Sequence, residues 1–307
     1  MHNIRKTLVV VDPDQDQEPL LDKAKMIASA TRSHLHLLIC DKQLNHTSLL
    51  ETLEAELTAQ GFSITAQHAW HGCPANTTIT VAAAEGCGLV IKQHRPDNPL
   101  LKTILTPDDW KLLRDCACPV LIVKNAIPWP GGIILAAIDV GNTDVQHRLL
   151  QAGIVSHGYD IARLMGGTLH LMSAHPFPTL AAADPVFQLK DSLAAFYRAE
   201  CTTFQEEFGI DDPQLHIEEG PAELLIPKVA HKLRAVVTVV GDVGRRGLAG
   251  ALVGNTAEMI LDSLDTDLLV IKPGDVIAHL EELAAPMPAT VDPALVHSWP
   301  YHHHHRT

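Results

Sequence analysis

A glycine-rich segment that directly follows an apolar run has the residue types best suited to chemistry in this sequence. Residues 241–256 read GDVGRRGLAGALVGNT and come after the apolar residues 235–240. Glycines let backbone N–H groups approach a phosphate closely, and the N-terminus of a following helix adds partial positive charge. The segment predicts a phosphate-binding loop, and the alternative interpretation is a flexible strand-to-helix turn. The candidate binding residues of this loop are Gly241, Gly244, Arg245, Gly254, Asn255 and Thr256.

The loop needs a sheet edge and a helix to position it, and the sequence predicts both. Apolar runs suited to buried parallel strands alternate with segments of helical spacing. Strands are predicted near residues 7–11, 34–40, 62–69, 88–92 and 119–124, and again near 133–138, 168–173, 214–218, 235–240 and 267–272. Helices are predicted near residues 18–32, 45–60, 74–86, 107–115 and 256–264. This alternation predicts an α/β fold with right-handed crossovers and parallel sheets.

An internal repeat divides the chain into two similar halves. Four segments recur in the same order: 7–12 resembles 134–139, 35–40 resembles 169–174, 72–75 resembles 220–223, and 119–124 resembles 267–272. The length of 307 residues also suits two domains. We expect a first domain at 1–124, a linker at 125–131, a second domain at 132–275 and a disordered tail at 276–307, which includes the histidine run at 302–305.

Ligands of parallel α/β sheets bind beyond the carboxyl ends of the strands, where the strand order reverses. Three parts of the second half are expected to meet there. Asp139 follows the first predicted strand, Leu171 belongs to the end of the second, and the glycine-rich loop follows the fourth.

The spacing of the glycines resembles the signature of universal stress proteins. Two residues separate Gly241 from Gly244, nine separate Gly244 from Gly254, and Asn255 follows. Asp139 resembles the adenine-facing aspartate of that family, and the segment around Leu171 resembles the strand whose backbone meets the adenine. The resemblance covers residues 4–124 and 132–273. Residues 106–114 and 118–120 are similar to the branch of the family with two tandem domains.

The resemblance implies that each domain is a five-stranded parallel sheet flanked by helices, with strand order 3-2-1-4-5. It also implies that fifth-strand edges pair domains within the chain or subunits of a homodimer, and that the protein serves stress survival in the cytoplasm. Its glycine signature favours binding of ATP or a related nucleotide by the second domain. Asn255 stands where typical nucleotide binders have a hydroxyl residue, although its side chain can cap a helix.

The first half departs from this signature. Gln93, Pro96 and Thr106 stand where the second half has its three signature glycines, and Pro96 and Pro99 lack a backbone N–H donor. We therefore predict that the first domain is degenerate and does not bind ATP by this route, although Asp12 occupies the position of Asp139.

Composition excludes several classes of function. The formal net charge of −13 argues against a general nucleic-acid or anionic-membrane surface. No stretch approaches 18 consecutive apolar residues, and the apolar run near the start is shorter than a signal peptide requires. The six cysteines show no CxxC spacing and are expected to be reduced in the cytoplasm. Cys116, Cys118 and a histidine would supply three metal ligands, but ordinary packing is the simpler interpretation, and we predict no metal site.

The second half also contains an insertion at residues 177–196, which holds several of the chain's few aromatic residues. One interpretation is a longer helix packed on its own sheet. The alternatives are a lid over the binding cleft and an interface between the domains.

Three functions remain open at this point. The first is a non-enzymatic, nucleotide-binding stress regulator, which the glycine-rich loop favours. The second is an adaptor of the same fold that binds no nucleotide and acts through protein partners or an apolar ligand. The third is a slow ATPase, which the absence of an obvious Walker lysine or general base disfavours.

Overall fold

The computed structural model describes residues 4–43, 45–94, 108–142, 144–177, 186–242 and 263–274. The first half contains β1 (Lys6–Val10), α1 (Glu18–Thr31), β2 (His34–Cys40), α2 (Thr47–Ala59), β3 (Ile64–Ala69), α3 (Pro74–Ala84), β4 (Leu89–Gln93), α4 (Asp108–Asp115) and β5 (Val120–Val123). The second half contains β6 (Ile133–Ile138), α5 (Val145–Leu164), β7 (Thr168–His175), α6 (Val186–Phe208), β8 (Leu215–Glu219), α7 (Ala222–Leu233), β9 (Ala235–Gly241) and β10 (Asp267–Ile271). The predicted alternation of strands and helices in an α/β fold is confirmed.

The described strands form one sheet in the order β3-β2-β1-β4-β5-β10-β9-β6-β7-β8. Neighbouring strands within each half are parallel, since each is reached by a crossover through a helix or loop. Counted within its own half, each set of five strands has the order 3-2-1-4-5. The two halves meet where β5 and β10 run antiparallel, with Leu121 opposite Leu269.

Helices cover both faces of this sheet, as a parallel sheet requires. One apolar layer includes side chains from α1, α2, α5 and α6, and the other includes side chains from α3, α4 and α7. Successive strand residues alternate between the layers: Val9 lies in the first, whereas Leu8 and Val10 lie in the second. This arrangement leaves the ends of the strands as the places where polar side chains can gather.

A buried carboxylate, Asp267, fastens the junction between the halves. It accepts hydrogen bonds from the Trp129 indole N–H at 2.8 Å and from the Lys124 backbone N–H at 2.7 Å. The ammonium of Lys23 in α1 lies 3.5 Å from the same carboxylate. Trp129 is fully buried, so the segment 125–131 that was predicted as a linker carries a side chain of the core.

Helix α6 contains residues 186–196 of the predicted insertion, and Phe177 is its other described residue. The helix packs on β7, β8 and α5, and it buries Tyr197 and Cys201 in the same layer as α5. Residues 178–185 of the insertion lie outside the described residues. Phe177 and Phe196 are 64% and 45% exposed. Of the helices that the structure describes, none combines the length and apolar character needed to cross a membrane.

Candidate functional site

The strand order of the second half reverses at the carboxyl end of β6. This strand has β7 on one side and β9 on the other, and the connections leave in opposite directions. Ala136 of β6 lies opposite Val239 of β9, so Asp139 and Gly241 come to the same edge at the ends of these two strands. A crevice of this kind is where parallel α/β sheets bind ligands.

The loop that carries Asp139 is fixed by helix α5. The side-chain amide of Gln151 donates to the backbone carbonyl oxygens of Asp139 and Asn142, at 2.5 and 3.4 Å. The Asn142 backbone N–H donates to the same Asp139 carbonyl at 3.3 Å. These bonds use the backbone of Asp139 and hold its carboxylate at the edge of the sheet.

Tyr197 from α6 lies directly against this loop. A Cβ atom on Gly141 would come within 2.7 Å of the Tyr197 ring carbon that bears the hydroxyl group. Burial raises the pKa of Tyr197, and the negative charge of Asp139 raises it further. The ring centroid of His175, at the end of β7, lies 5.6 Å from that of Tyr197.

Tyr197 and His175 are not among the site residues that the sequence predicts. The sequence does contain a pattern that indicates burial of Tyr197. Leu193, Tyr197 and Cys201 recur at intervals of four residues and predict one buried helix face. The insertion was bounded at residue 196, which ended that pattern one residue too early.

Leu171 lies further from the edge than the sequence suggested. Strand β7 continues to His175, two residues beyond the predicted strand, and Leu171 pairs with Ala136 on one side and Leu215 on the other. Its side chain is fully buried, and the register brings Ala174 rather than Leu171 level with Asp139. Contact between Leu171 and a nucleotide stays a prediction.

Gly241 has a packing reason for being glycine. A Cβ atom at this position would lie 2.6 Å from Leu150 and 2.9 Å from Ile154, both on α5. Real Cβ atoms do not approach so closely, so a side chain here would force the Leu150 and Ile154 side chains to move. The glycine therefore serves helix packing whether or not a phosphate binds nearby.

The next residue, Asp242, is buried and forms an ion pair with Lys272 at the end of β10. Its backbone N–H donates to the Ile271 carbonyl at 3.0 Å. The beginning of the glycine-rich segment is thus tied to the fifth strand of its own half. The other predicted phosphate contacts lie outside the described residues: Gly244, Arg245, Gly254, Asn255 and Thr256.

The corresponding edge of the first half contains a cavity of about 310 Å³. Its apolar lining includes Val10, Ile39 and Pro74. Its acidic and basic lining residues are Asp12, Asp14, Asp41, His46, Lys92, Asp108 and Asp109. Carboxylates outnumber the basic groups among these described residues.

The carboxylate of Asp12 is used within its own turn. One oxygen accepts a hydrogen bond from the Asp14 backbone N–H at 3.1 Å, and the other accepts one from the Gln15 amide at 2.8 Å. Asp12 therefore caps its own strand-to-helix turn.

An ion pair between two lining residues belongs to the first-half cavity. The ammonium of Lys92 contacts one oxygen of Asp109, and His94 Nδ1 lies 2.8 Å from the other oxygen. Burial by itself raises the pKa of Asp109, but the charge of Lys92 and the hydrogen bonds from His94 and Lys92 lower it overall. In the internal repeat, Lys92 and His94 correspond to Val240 and Asp242, at the start of the glycine-rich segment of the second half.

Metal-binding side chains do not converge in the described ranges, where no group of three or more His, Cys, Asp or Glu residues has the arrangement of a metal site. All six cysteines are thiols rather than disulfides. Cys116 and Cys118 have their sulfur atoms 3.6 Å apart.

Known proteins resemble this chain over most of its length. Universal stress protein E of Escherichia coli K12 is 32% identical over 295 residues, which cover 87% of this chain and 93% of the relative. A solved structure of a functionally unknown protein from Pseudomonas aeruginosa PAO1 is 57% identical and has a TM-score of 0.79, covering 92% of this chain and 98% of that one. A universal stress protein from Archaeoglobus fulgidus is 16% identical with a TM-score of 0.65 over 87% and 96% of the two chains, and it shares the fold.

The model of the universal stress protein family matches residues 41–124 and 132–272, one match in each half. Both matches include strands of the sheet described above, and together with the relative at 32% identity they cover most of the chain. This chain belongs to the universal stress protein family.

Proposed function

We propose that this chain is a stress-response protein that binds ATP or a related adenine nucleotide in its second half and acts as a regulator without catalysing a reaction. The observation that carries the proposal is the position of Asp139 and Gly241, one on each side of the crevice where the strand order reverses. The glycine-rich segment begins at that crevice and continues towards Arg245 and Asn255.

Each part of this site would have a separate role. The Asp139 carboxylate would accept a hydrogen bond from the amino group of adenine, which is a donor that a carboxylate suits. Backbone N–H groups of residues 243–256 would bind the phosphates, and Arg245 would add charge-assisted hydrogen bonds. The first-half cavity, with its excess of carboxylates, would repel the same phosphates.

Calorimetric titration of the full chain with ATP tests the proposal. We expect one site per chain. Replacing Gly244 with valine should weaken binding about tenfold or more, about 1.4 kcal/mol, because a side chain there keeps the backbone from the phosphate. Pro96→Val, at the matching position of the first half, is the control and should bind like the wild type. Absence of ATP binding by the wild-type protein would overturn the proposal.

A nucleotide-free adaptor is the second candidate, and two contacts favour it. Gly241 leaves room for Leu150 and Ile154 of α5, so its presence does not by itself indicate phosphate binding. Tyr197 also fills space beside Asp139 that the adenine ring of a nucleotide would otherwise use. If the wild type binds no nucleotide, this candidate takes the place of the first.

We also propose a cytoplasmic location and pairing of the halves through β5 and β10 in solution. The six thiols suit a reducing compartment. Strands β5 and β10 are entirely buried and apolar apart from Asp267, and either would otherwise expose an edge that invites association. Hydrogen exchange of Ile122 and Leu268 tests the pairing, since the amides of this opposed pair face the neighbouring half and should be strongly protected.

A further inference from the structure

Two cysteines at the end of α4 form a close pair that the nucleotide site does not use. Cys116 continues the last turn of the helix through a hydrogen bond from its backbone N–H to Leu112 at 3.0 Å. Cys118 follows two residues later, just before β5. Their sulfur atoms are 3.6 Å apart, which places one thiol within hydrogen-bonding reach of the other.

The surroundings of Cys116 favour a thiolate. The hydrogen bond from Cys118 lowers the pKa of Cys116 although burial opposes it, and the backbone N–H groups of Cys118 and Ala117 and the charge of Lys272 lower it further. Other thiols of the chain behave in the opposite way. Burial raises the pKa of Cys40 to about 11 and that of Cys201 to about 12.

Access differs between the two members of the pair. Cys116 is buried, with 4% of its surface exposed, whereas Cys118 is half-buried. A small oxidant that reaches Cys118 is therefore close to the sulfur of Cys116. Reactivity of a cysteine towards oxidants follows thiolate character together with access, and the pair supplies both.

We propose that Cys116 and Cys118 are a peroxide-reactive dithiol that closes reversibly to a disulfide. The Cys116 thiolate attacks one oxygen of a hydroperoxide such as H₂O₂, forming an S–O bond as the O–O bond breaks. The departing hydroxide takes the proton of the Cys118 thiol and leaves as water. The Cys118 thiolate then attacks the Cys116 sulfur, and the S–S bond forms as hydroxide leaves.

The two thiols supply two electrons and the peroxide accepts them, so the reaction is balanced with water and hydroxide as the other products. A disulfide between residues so close in sequence closes a small, strained ring. Strained disulfides are more oxidising than structural ones, and a mild thiol reductant should reopen this one.

The pair lies at a contact between the halves. The Lys272 ammonium donates to the Arg114 carbonyl at 3.2 Å, and this lysine also pairs with Asp242 at the start of the glycine-rich segment. The dithiol therefore sits beside a cation that joins the first half to the second. The inference rests on the two sulfur atoms and their surroundings and is independent of nucleotide binding.

Intact mass spectrometry of the full chain after treatment with one equivalent of H₂O₂ tests the inference. We expect a loss of about 2 Da, located by peptide mapping to residues 116–118 and reversed by dithiothreitol. Cys118→Ser should stop at a sulfenic acid that dimedone traps on Cys116. Cys40→Ser is the matched control and should oxidise like the wild type.

Three results would overturn the inference. The first is that no 116–118 disulfide has formed when all the peroxide has been consumed. The second is that Cys40 or Cys201 is oxidised as fast as the 116–118 pair. The third is that the Cys118→Ser protein consumes no peroxide. Because Cys118 is half-buried, its serine variant is expected to fold, and circular dichroism checks this directly.

Discussion

The two halves share a sheet plan but fill the same edge of it differently. In the first half the edge holds a cavity of about 310 Å³ that Asp14 and the Lys92–Asp109 ion pair line. In the second half the position of Asp14 is taken by Gly141, and Tyr197 from the longer helix α6 packs against it. The sheet thus has the same edge twice, and the side chains that occupy this edge differ between the halves.

The largest change in stability is expected from a substitution at the junction between the two halves. Asp267→Ala would leave the Lys23 ammonium buried without its carboxylate and remove the acceptor of Trp129. Breaking a buried pair of this kind lowers the free energy of unfolding by about 3–5 kcal/mol. Urea denaturation of the full chain measures the change.

Asp265→Ala is the matched control for that experiment. Asp265 and its partner His231 are both more than four-fifths exposed, so this variant should stay within about 0.5 kcal/mol of the wild type. Equal midpoints for Asp267→Ala and Asp265→Ala would show that the buried network does not hold the halves together.

A smaller effect distinguishes the two crevices directly. Gly141→Ala would push a methyl group into the Tyr197 ring and should destabilise the protein by about 1–3 kcal/mol. Asp14→Ala, at the same position of the first half, lies at an exposed turn beside the cavity and should change stability by about 0.5 kcal/mol or less. Thermal unfolding compares them, and a Gly141→Ala protein as stable as Asp14→Ala would mean that Tyr197 does not pack there.

The smallest predicted effect concerns pH and a histidine pair in the second half. His170 Nδ1 and His216 Nε2 are 3.0 Å apart, and burial lowers the pKa of both rings from 6.5, helped by the neighbouring charges of His216 and Lys232 respectively. Below pH 6.5 the unfolded chain takes up protons that the folded protein does not. Stability should therefore fall as the pH falls from 6.5 towards the lowered pKa values, by at most about 1.4 kcal/mol per pH unit for each excess proton.

His216→Gln should make stability depend less steeply on pH. Urea denaturation at a series of pH values from about 7 to about 5 measures this dependence. Part of this dependence should remain, because burial also lowers the pKa of His34 and His36 in the first half. His231→Gln is the control, since that side chain is 82% exposed. An unchanged slope in His216→Gln would contradict the account of the pair.

Much of the fold follows from patterns that lie close together in the sequence. Runs such as 120–123 and 268–271 are apolar throughout, and strands buried on both faces require this. The internal repeat then gives two copies of one plan, because matching segments keep their order. The sequence does not predict that Trp129 and Lys23 belong to the junction between the halves. A tryptophan between prolines is typical of a linker, and both residues contact Asp267, which lies far along the chain.

The site was less accessible to sequence reasoning because its contacts join distant segments. Asp139 could be placed at the edge, as it directly follows an apolar strand. Nothing local indicates that Tyr197 returns to Gly141, or that Asp109 returns to Lys92. Gly241 shows the opposite problem, since its spacing suggests phosphate whereas its surroundings give a packing reason.

The account's central claim is that nucleotide binding is confined to the second half, and paired substitutions of Asp139 and Asp12 test it most directly. Calorimetric titration of the full chain with ATP should give one site per chain for the wild type. Asp139→Asn should weaken binding by about 10- to 100-fold, as expected for loss of a hydrogen bond to a charged group, whereas Asp12→Asn should bind like the wild type. An Asp12→Asn protein that loses affinity while Asp139→Asn keeps it, or equal losses in both, would contradict the account.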